Sequence, residues 1–241
     1  MTTRSFDWPG EERRSPRLSS ATWLVRHHLA AWLTAEAAAA GAERGRYRVL
    51  DVGCGPKPYY PFFREWADPY IGVDVVAHPA ADLVGAVESL PVEDGSFDLV
   101  LCTQVLEHCD DPAAAVRELR RVTAPGGRVL ASTHGVQVYH PSPEDLWRWT
   151  HAGLQRLFER NADWASVTLT PAGGTAGCLA MLVGTYVEIA ARRVGLAVGA
   201  RPPVWLFNRV ASALDGRVAL LHDPVPGSLI ANFHVAADVP D

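Results

Sequence analysis

At 241 residues, 48% hydrophobic and 20% charged, the chain is long enough for one large domain with a full core and is ordinary in composition for a globular protein. A net charge of −5 gives no global attraction to nucleic acid or to anionic lipid. The four cysteines (Cys54, Cys102, Cys109 and Cys178) show neither metal-like CxxC spacing nor a disulfide framework, so they read as reduced thiols of a cytoplasmic protein.

The opening stretch, "MTTRSFDWPGEERRSPR", is polar and carries no apolar signal core; residues 1–18 read as a loose tail. Residues 19–40 begin with serine capping candidates and place Trp23, His27, Ala30 and Ala31 at helical spacing, so the sequence predicts a helix that stops at Gly41. Residues 1–45 are therefore expected to form a tail and helix ahead of a main domain over 46–241. Between 47 and 134, "YRVLDV", "YIGVDVV", "FDLVLCT" and "GGRVLASTH" are apolar strands, and "DPAAAVRELRRVT" is a helix capped by "DDP". Continuous apolar strands alternating with helices predict a parallel sheet covered on both faces.

Further along, "WASVTLTP" and "SLIANFHVAAD" read as the sixth and seventh strands. Residues 172–227 intervene and read as two helices joined at "LAVGARPP", with Pro202 and Pro203 suited to a helix start. The uncharged run Thr175–Val187 is too short to span a bilayer, and Glu188, Arg192 and Arg193 interrupt its extension. It suits a core-packed helix first, then a dimer surface, then an interfacial membrane contact. The same apolar residues, with Trp23, Leu24 and Trp32, are expected to cover the carboxyl edge of the sheet and form a substrate pocket.

The stretch "VLDVGCGPKP" carries the first chemical signal. A strand, a Gly-x-Gly turn and an acid at the end of the next strand form a nucleotide-site arrangement in open α/β sheets. Gly53 and Gly55 let the backbone turn tightly and approach a ligand, and Asp74 can accept hydrogen bonds from two ribose hydroxyls. The dinucleotide fingerprint needs a third glycine where Pro58 stands, which argues against a nicotinamide cofactor. Asp51 would repel phosphate and suits a cationic ligand, an ammonium or a sulfonium.

With "GVDV", "ESLPVEDGSFDLVLCTQVLEH" and "LRRVTAPGGRVLAST" in the same order, residues 47–134 resemble a class I S-adenosylmethionine-dependent methyltransferase of the type-11 kind. The resemblance implies a Rossmann-like, doubly wound, seven-stranded α/β sheet, here with a helical insertion between strands six and seven. It implies S-adenosyl-L-methionine as cofactor, with Gly53, Cys54 and Gly55 under its methionine part, Asp51 near its ammonium and Asp74 on its ribose. Val75 would pack on the adenine, Val87 and Glu88 would run along the adenine edge, and Gln104 would lie near the methionine portion or the methyl group. It implies methyl transfer to an oxygen or nitrogen of a small secondary-metabolite or sugar-like molecule. The net charge predicts no nucleic-acid partner, the short uncharged run no transmembrane segment, and the apolar insertion helices a homodimer contact as a second use.

After residue 134, "HPSPEDLWRWT" resembles a segment found in one branch of these enzymes. His134 and His140 are the candidate bases, His134 first because it ends a strand on the cofactor side. Tyr139 and Arg148 are the candidate substrate contacts; the alternative for Arg148 is an ion pair with Asp145 that pins the loop. His151 sits where a helix should begin, and His108 is expected to be structural. No metal is called for, and no GxSxG elbow is present. The alternative function is an S-adenosylmethionine-binding protein that does not methylate or that catalyses another reaction.

Overall fold

The computed structural model describes residues 8–141, 143–218 and 224–241. The expected tail at 1–7 and the end of the second insertion helix at 219–221 lie outside these. In chain order the elements are α1 (Glu11–Arg14), α2 (Trp23–Arg44), β1 (Tyr47–Val52), α3 (Tyr60–Phe63), β2 (Ala67–Asp74), β3 (Leu83–Val84), β4 (Phe97–Thr103) and α4 (Pro112–Val122). They continue with β5 (Thr123–His134), α5 (His151–Asn161), β6 (Ser166–Pro171), α6 (Thr175–Arg193), a 3-10 turn at Ala197–Ala200, α7 (Arg201–Asp215) and β7 (Asn232–Asp238).

The strands form one sheet in the order β3-β2-β1-β4-β5-β7-β6. All pairs are parallel except those of β7, which runs antiparallel to β5 and β6. The sheet is the expected Rossmann-like, doubly wound one. Its β3 is two residues long, too short for a period-2 pattern to reveal. Alternate residues of the central strands go to opposite faces. Val49, Leu99, Leu101 and Leu130 pack under α2 with Leu29 and Leu33, whereas Leu50, Val52, Val100 and Val129 pack with Val116 and Leu119 of α4 and Phe158 of α5. Burial on both faces is why these strands read as unbroken apolar runs. Asp111 caps α4 by accepting from the amides of Ala113 and Ala114 at 2.9 and 3.0 Å, with Pro112 in the first turn.

Two expectations are corrected near the N-terminus. From Trp8 on, the tail is docked: the Trp8 indole donates to the Lys57 carbonyl at 2.7 Å, and Arg14 donates to the carbonyls of Trp8, Pro9 and Pro58. Helix α2 does not stop at Gly41 but passes through it to Arg44, because Gly41 lies against the Trp66 indole where a Cβ would be 2.5 Å from the ring. The helix buries Leu24, Val25, Leu29, Ala30, Leu33 and Ala37, and Trp23, partly buried against the cluster of Leu24, Cys178 and Met181, stacks on His27.

The insertion is helical as expected, but its role at the pocket is smaller. Gly177, Cys178, Met181 and Gly184 of α6 and Val204, Asn208 and Ala211 of α7 are buried. Leu179, Val183, Trp205, Leu206 and Val210 are exposed.

Trp32 of α2 stacks on His234 of β7, with ring centroids 4.5 Å apart and planes at 11°. Burial holds His234 down to about 3, with His28 adding to the shift. The folded chain therefore binds this proton less readily than the unfolded chain, and the stabilisation is lost as pH falls from about 6.5 towards 3. Compared with His234→Phe, wild type should lose about 1.4 kcal/mol per pH unit in that window, measured as urea-unfolding free energies at stepped pH. Parallel pH profiles would refute a buried neutral His234.

Candidate active site

A cavity of about 920 Å³ opens at the carboxyl ends of β1, β2, β4 and β5, where the strand order reverses around β1. The loop after β1 forms its floor. Gly53 has φ 67°, and a Cβ there would lie 2.3 Å from Val105, so only glycine fits. Gly55, at φ 48°, has nothing within 4 Å of where a Cβ would stand, and it lines the cavity. The amides of Gly53 and Cys54 donate to the Val73 carbonyl at 2.8 and 3.1 Å.

Asp74 joins this loop to the end of β2. One carboxylate oxygen accepts from the Gly55 amide at 2.9 Å and the other from the Val76 amide at 3.1 Å. Two bonds leave lone pairs for a ligand. Val75 and Val76 beside it are 66% and 63% exposed and line the cavity, an apolar surface ready for a flat ring. Val87 forms part of the wall; Glu88, also on the wall, accepts from the Asp110 amide at 2.8 Å, tying the segment after β3 to the start of α4.

Asp51 and Cys54 do not line this cavity. The Asp51 carboxyl is buried, receives the Tyr70 hydroxyl at 2.7 Å, and is pushed up to about 7 by burial. An expected anionic contact to an ammonium is thus turned away into the protein. The buried Cys54 thiol, pushed up to about 12, is no nucleophile and acts by filling space.

A polar network lies where β4 and β5 end and β7 begins. Gln104 takes a left-handed backbone, φ 57°, donates to the Ser132 hydroxyl at 2.9 Å and accepts from Asn232 at 3.1 Å. Asn232 also lies 3.3 Å from His134 Nδ1, and His134 Nε2 lies 3.2 Å from the Glu107 carboxyl. Both nitrogens of His134 are therefore engaged. Burial holds His134 down to about 3 and pushes Glu107, which also accepts from Thr133 at 2.8 Å, up to about 7. Burial thus favours the uncharged form of each group.

His140 faces the same cavity. Its Nδ1 is 3.2 Å from Asp145 and 3.4 Å from the Val138 carbonyl, and its backbone amide donates to Asp145 at 3.1 Å. Asp145 is held down to about 2 by Arg148, which donates to both its oxygens at 2.5 Å. Arg148 and Tyr139 do not line the cavity: Arg148 pins the loop through Asp145 and the carbonyls of Gln137 and Val138, and Tyr139 is 72% exposed. The expected substrate contacts are thus not brought together. His108 lines the cavity and is fixed by the Glu144 carbonyl at 2.8 Å; His151 opens α5 and packs edge-on against Phe233.

Ligand atoms of His108, His140 and Asp145 lie within 4.8 Å of one another, as do those of Cys54, Asp74 and His78. In the first group the Arg148 guanidinium already holds both Asp145 oxygens. Sequence reasoning missed Glu107, Asn232, Gln137, Arg13, Arg26 and Thr185. A polar residue inside an apolar strand was a signal for Asn232. Nothing local marked Arg13 or Arg26, which reach the cavity only because the N-terminal helices dock over it.

Residues 24–167 match a family model described as a methyltransferase domain. The malonyl-[acyl-carrier protein] O-methyltransferase of Erwinia billingiae (strain Eb661) is 35% identical over 115 residues, 44% of this chain and 46% of that one. An uncharacterized methyltransferase of Mycobacterium sp. (strain KMS) is 39% identical over 98 residues, 36% of this chain and 39% of that one. The chain thus spans less than half the length of these curated relatives. Among solved structures, the [4+2]-cyclase SpnF is similar at TM-score 0.55 and 20% identity, over 88% of this chain and 81% of that one. The 1,6-didemethyltoxoflavin-N1-methyltransferase of Burkholderia thailandensis, bound to its substrate and S-adenosylhomocysteine, is similar at TM-score 0.51 and 15% identity, over 87% and 78%.

The neutral Glu107–His134 pair has a measurable consequence. Glu107→Ala strands the Thr133 hydroxyl and His134 and should cost about 1–3 kcal/mol. Glu107→Gln keeps an uncharged partner and should cost clearly less. Chemical denaturation of the two variants decides: equal losses would mean a buried ion pair, which amide substitution breaks as thoroughly as alanine does.

Proposed function

The chain belongs to the methyltransferase-domain family, whose cofactor is S-adenosyl-L-methionine, and on that premise we propose that it methylates an oxygen or nitrogen nucleophile of a small molecule. The residues present fit the cofactor: the open cradle at Gly55, the spare lone pairs of Asp74 and the exposed Val75 suit its methionine part, ribose and adenine in turn. Arg13 and Arg26 on the cavity wall offer cations to its carboxylate or to an acidic acceptor. When bound, the cofactor supplies an electrophilic methyl group on a sulfonium.

The chain's own part is then to align the acceptor, exclude water and remove a proton. One observation carries the assignment of that last role to His140: it lines the cavity, and its Nδ1 lies 3.2 Å from the Asp145 carboxylate, leaving Nε2 without a hydrogen bond among the described residues. A carboxylate on one nitrogen fixes the tautomer and supports the charge that develops when the other takes a proton. His134, with both nitrogens engaged and burial opposing its protonation, is the weaker base although it ends a strand. A hydroxyl acceptor benefits most from such a base. The fold alone is shared with a [4+2]-cyclase, so support for transfer comes from the family and from the His140–Asp145 dyad. Four free, buried cysteines accord with the cytoplasmic location inferred for it.

With an acceptor that supports turnover, His140→Ala should lower S-adenosylhomocysteine formation by on the order of 10²–10⁴-fold, with cofactor affinity near that of wild type. Undiminished product formation would remove His140 from the chemistry. Absence of S-adenosylhomocysteine from wild-type reactions that consume acceptor would favour the non-methylating alternative.

A further inference from the structure

We propose that the α6–α7 hairpin seats the protein on an anionic lipid bilayer. Both helices bury one side on the segment that leads into α2. Cys178 and Met181 pack on Leu24, Asn208 donates to the carbonyls of Leu18 and Ser20 at 2.8 and 2.9 Å, and Glu188 accepts from the Ala21 amide at 2.8 Å. The opposite sides are apolar and open to solvent. Leu179, Val183 and Tyr186 on α6 and Trp205, Leu206 and Val210 on α7 are each 46–64% exposed. The turn between the helices is more open still, with Val194, Leu196 and Val198 at 66–69%.

Charge complementarity identifies the partner. Residues 175–218 hold five arginines and two acids. Asp215 is buried on the amides of Gly174, Ala176 and Gly177, and Glu188 divides its carboxylate between the Ala21 amide and Arg192, 3.4 Å away. The balance of residues 175–218 is three positive charges, in a chain whose net charge is −5. Arg192, Arg193 and Arg201 flank the apolar turn. An apolar tip set between arginines matches the boundary between acyl chains and anionic headgroups. A second copy of the chain matches it poorly, because a two-fold contact would set arginines against arginines with no acid to pair them. No helix of the described residues is long and apolar enough to cross a membrane, so the contact is interfacial. Helix α6 also lends Thr185 to the cavity wall, which brings the cavity close behind the docked face. This attachment is independent of the methyl-transfer assignment.

The test is flotation of the full chain with vesicles of phosphatidylcholine containing phosphatidylglycerol, against phosphatidylcholine alone, over a salt series. Binding should require phosphatidylglycerol and weaken with salt. Replacing Arg192, Arg193 and Arg201 by glutamine should weaken it on the order of 100-fold, at about fivefold per arginine. Val194→Asp, Leu196→Asp and Val198→Asp together should abolish it, while S-adenosylhomocysteine affinity, read by calorimetry, reports that the fold is intact. No binding to the anionic vesicles, equal binding to both vesicle types, or undiminished binding by the variants would overturn the proposal. So would a dimer that these substitutions dissociate without any vesicle binding by wild type.

Discussion

The hydrogen bond from the Gly55 amide to the Asp74 carboxylate, 2.9 Å long, ties the loop after β1 to the end of β2 and sets the floor of the cavity. It depends on two left-handed glycines that carry the backbone round the turn, and on β1 and β2 running parallel in register. The loop folds back on the Val73 carbonyl, which leaves Gly55 facing open space. A side chain at either glycine would displace the carboxylate or fill the cradle. Everything a ligand meets on this side, from Val75 to Glu88, takes its position from that junction.

The opposite wall is organised by neutrality rather than by charge. Glu107, Thr133, His134, Asn232, Gln104 and Ser132 form a chain of polar contacts where β4 and β5 end and β7 begins, and burial pushes its acid up and its histidine down. Two charges there would each carry a large desolvation cost, which the uncharged forms avoid. The left-handed Gln104 is held because its amide donates to the Ser132 carbonyl at 2.8 Å while its side chain bonds Ser132 and Asn232. On this rigid base the loop after β5 carries His140, with Asp145 clamped by Arg148. A tightly held Arg–Asp pair thus serves to orient an imidazole, and Arg148 has no group left for a substrate.

The central strands and the turn after β1 were legible in the sequence because local patterns encode them. Apolar runs mark strands buried on both faces, Gly-x-Gly marks the turn, and an acid at a strand end marks the junction. The histidine wall was less legible. His134 and His140 are both near the cavity, but which of them keeps a free nitrogen depends on Glu107 and Asn232, one after β4 and one in β7. Periodicity likewise found α2 but ended it at Gly41, whereas the helix runs on to Arg44. The insertion was read as apolar and in need of cover. That Leu179, Trp205 and their neighbours remain exposed follows from small buried residues, Gly177 and Gly184, that draw the other face of the helix inward.

The central claim is that Asp74 and the Gly55 turn hold the cofactor. Calorimetric titration of S-adenosylhomocysteine into wild type and Asp74→Ala tests it most directly. Loss of a charge-assisted acceptor for the ribose hydroxyls, worth about 1.5–3 kcal/mol, should weaken binding by roughly 10–150-fold in the variant. Unchanged affinity in a folded Asp74→Ala would contradict the account.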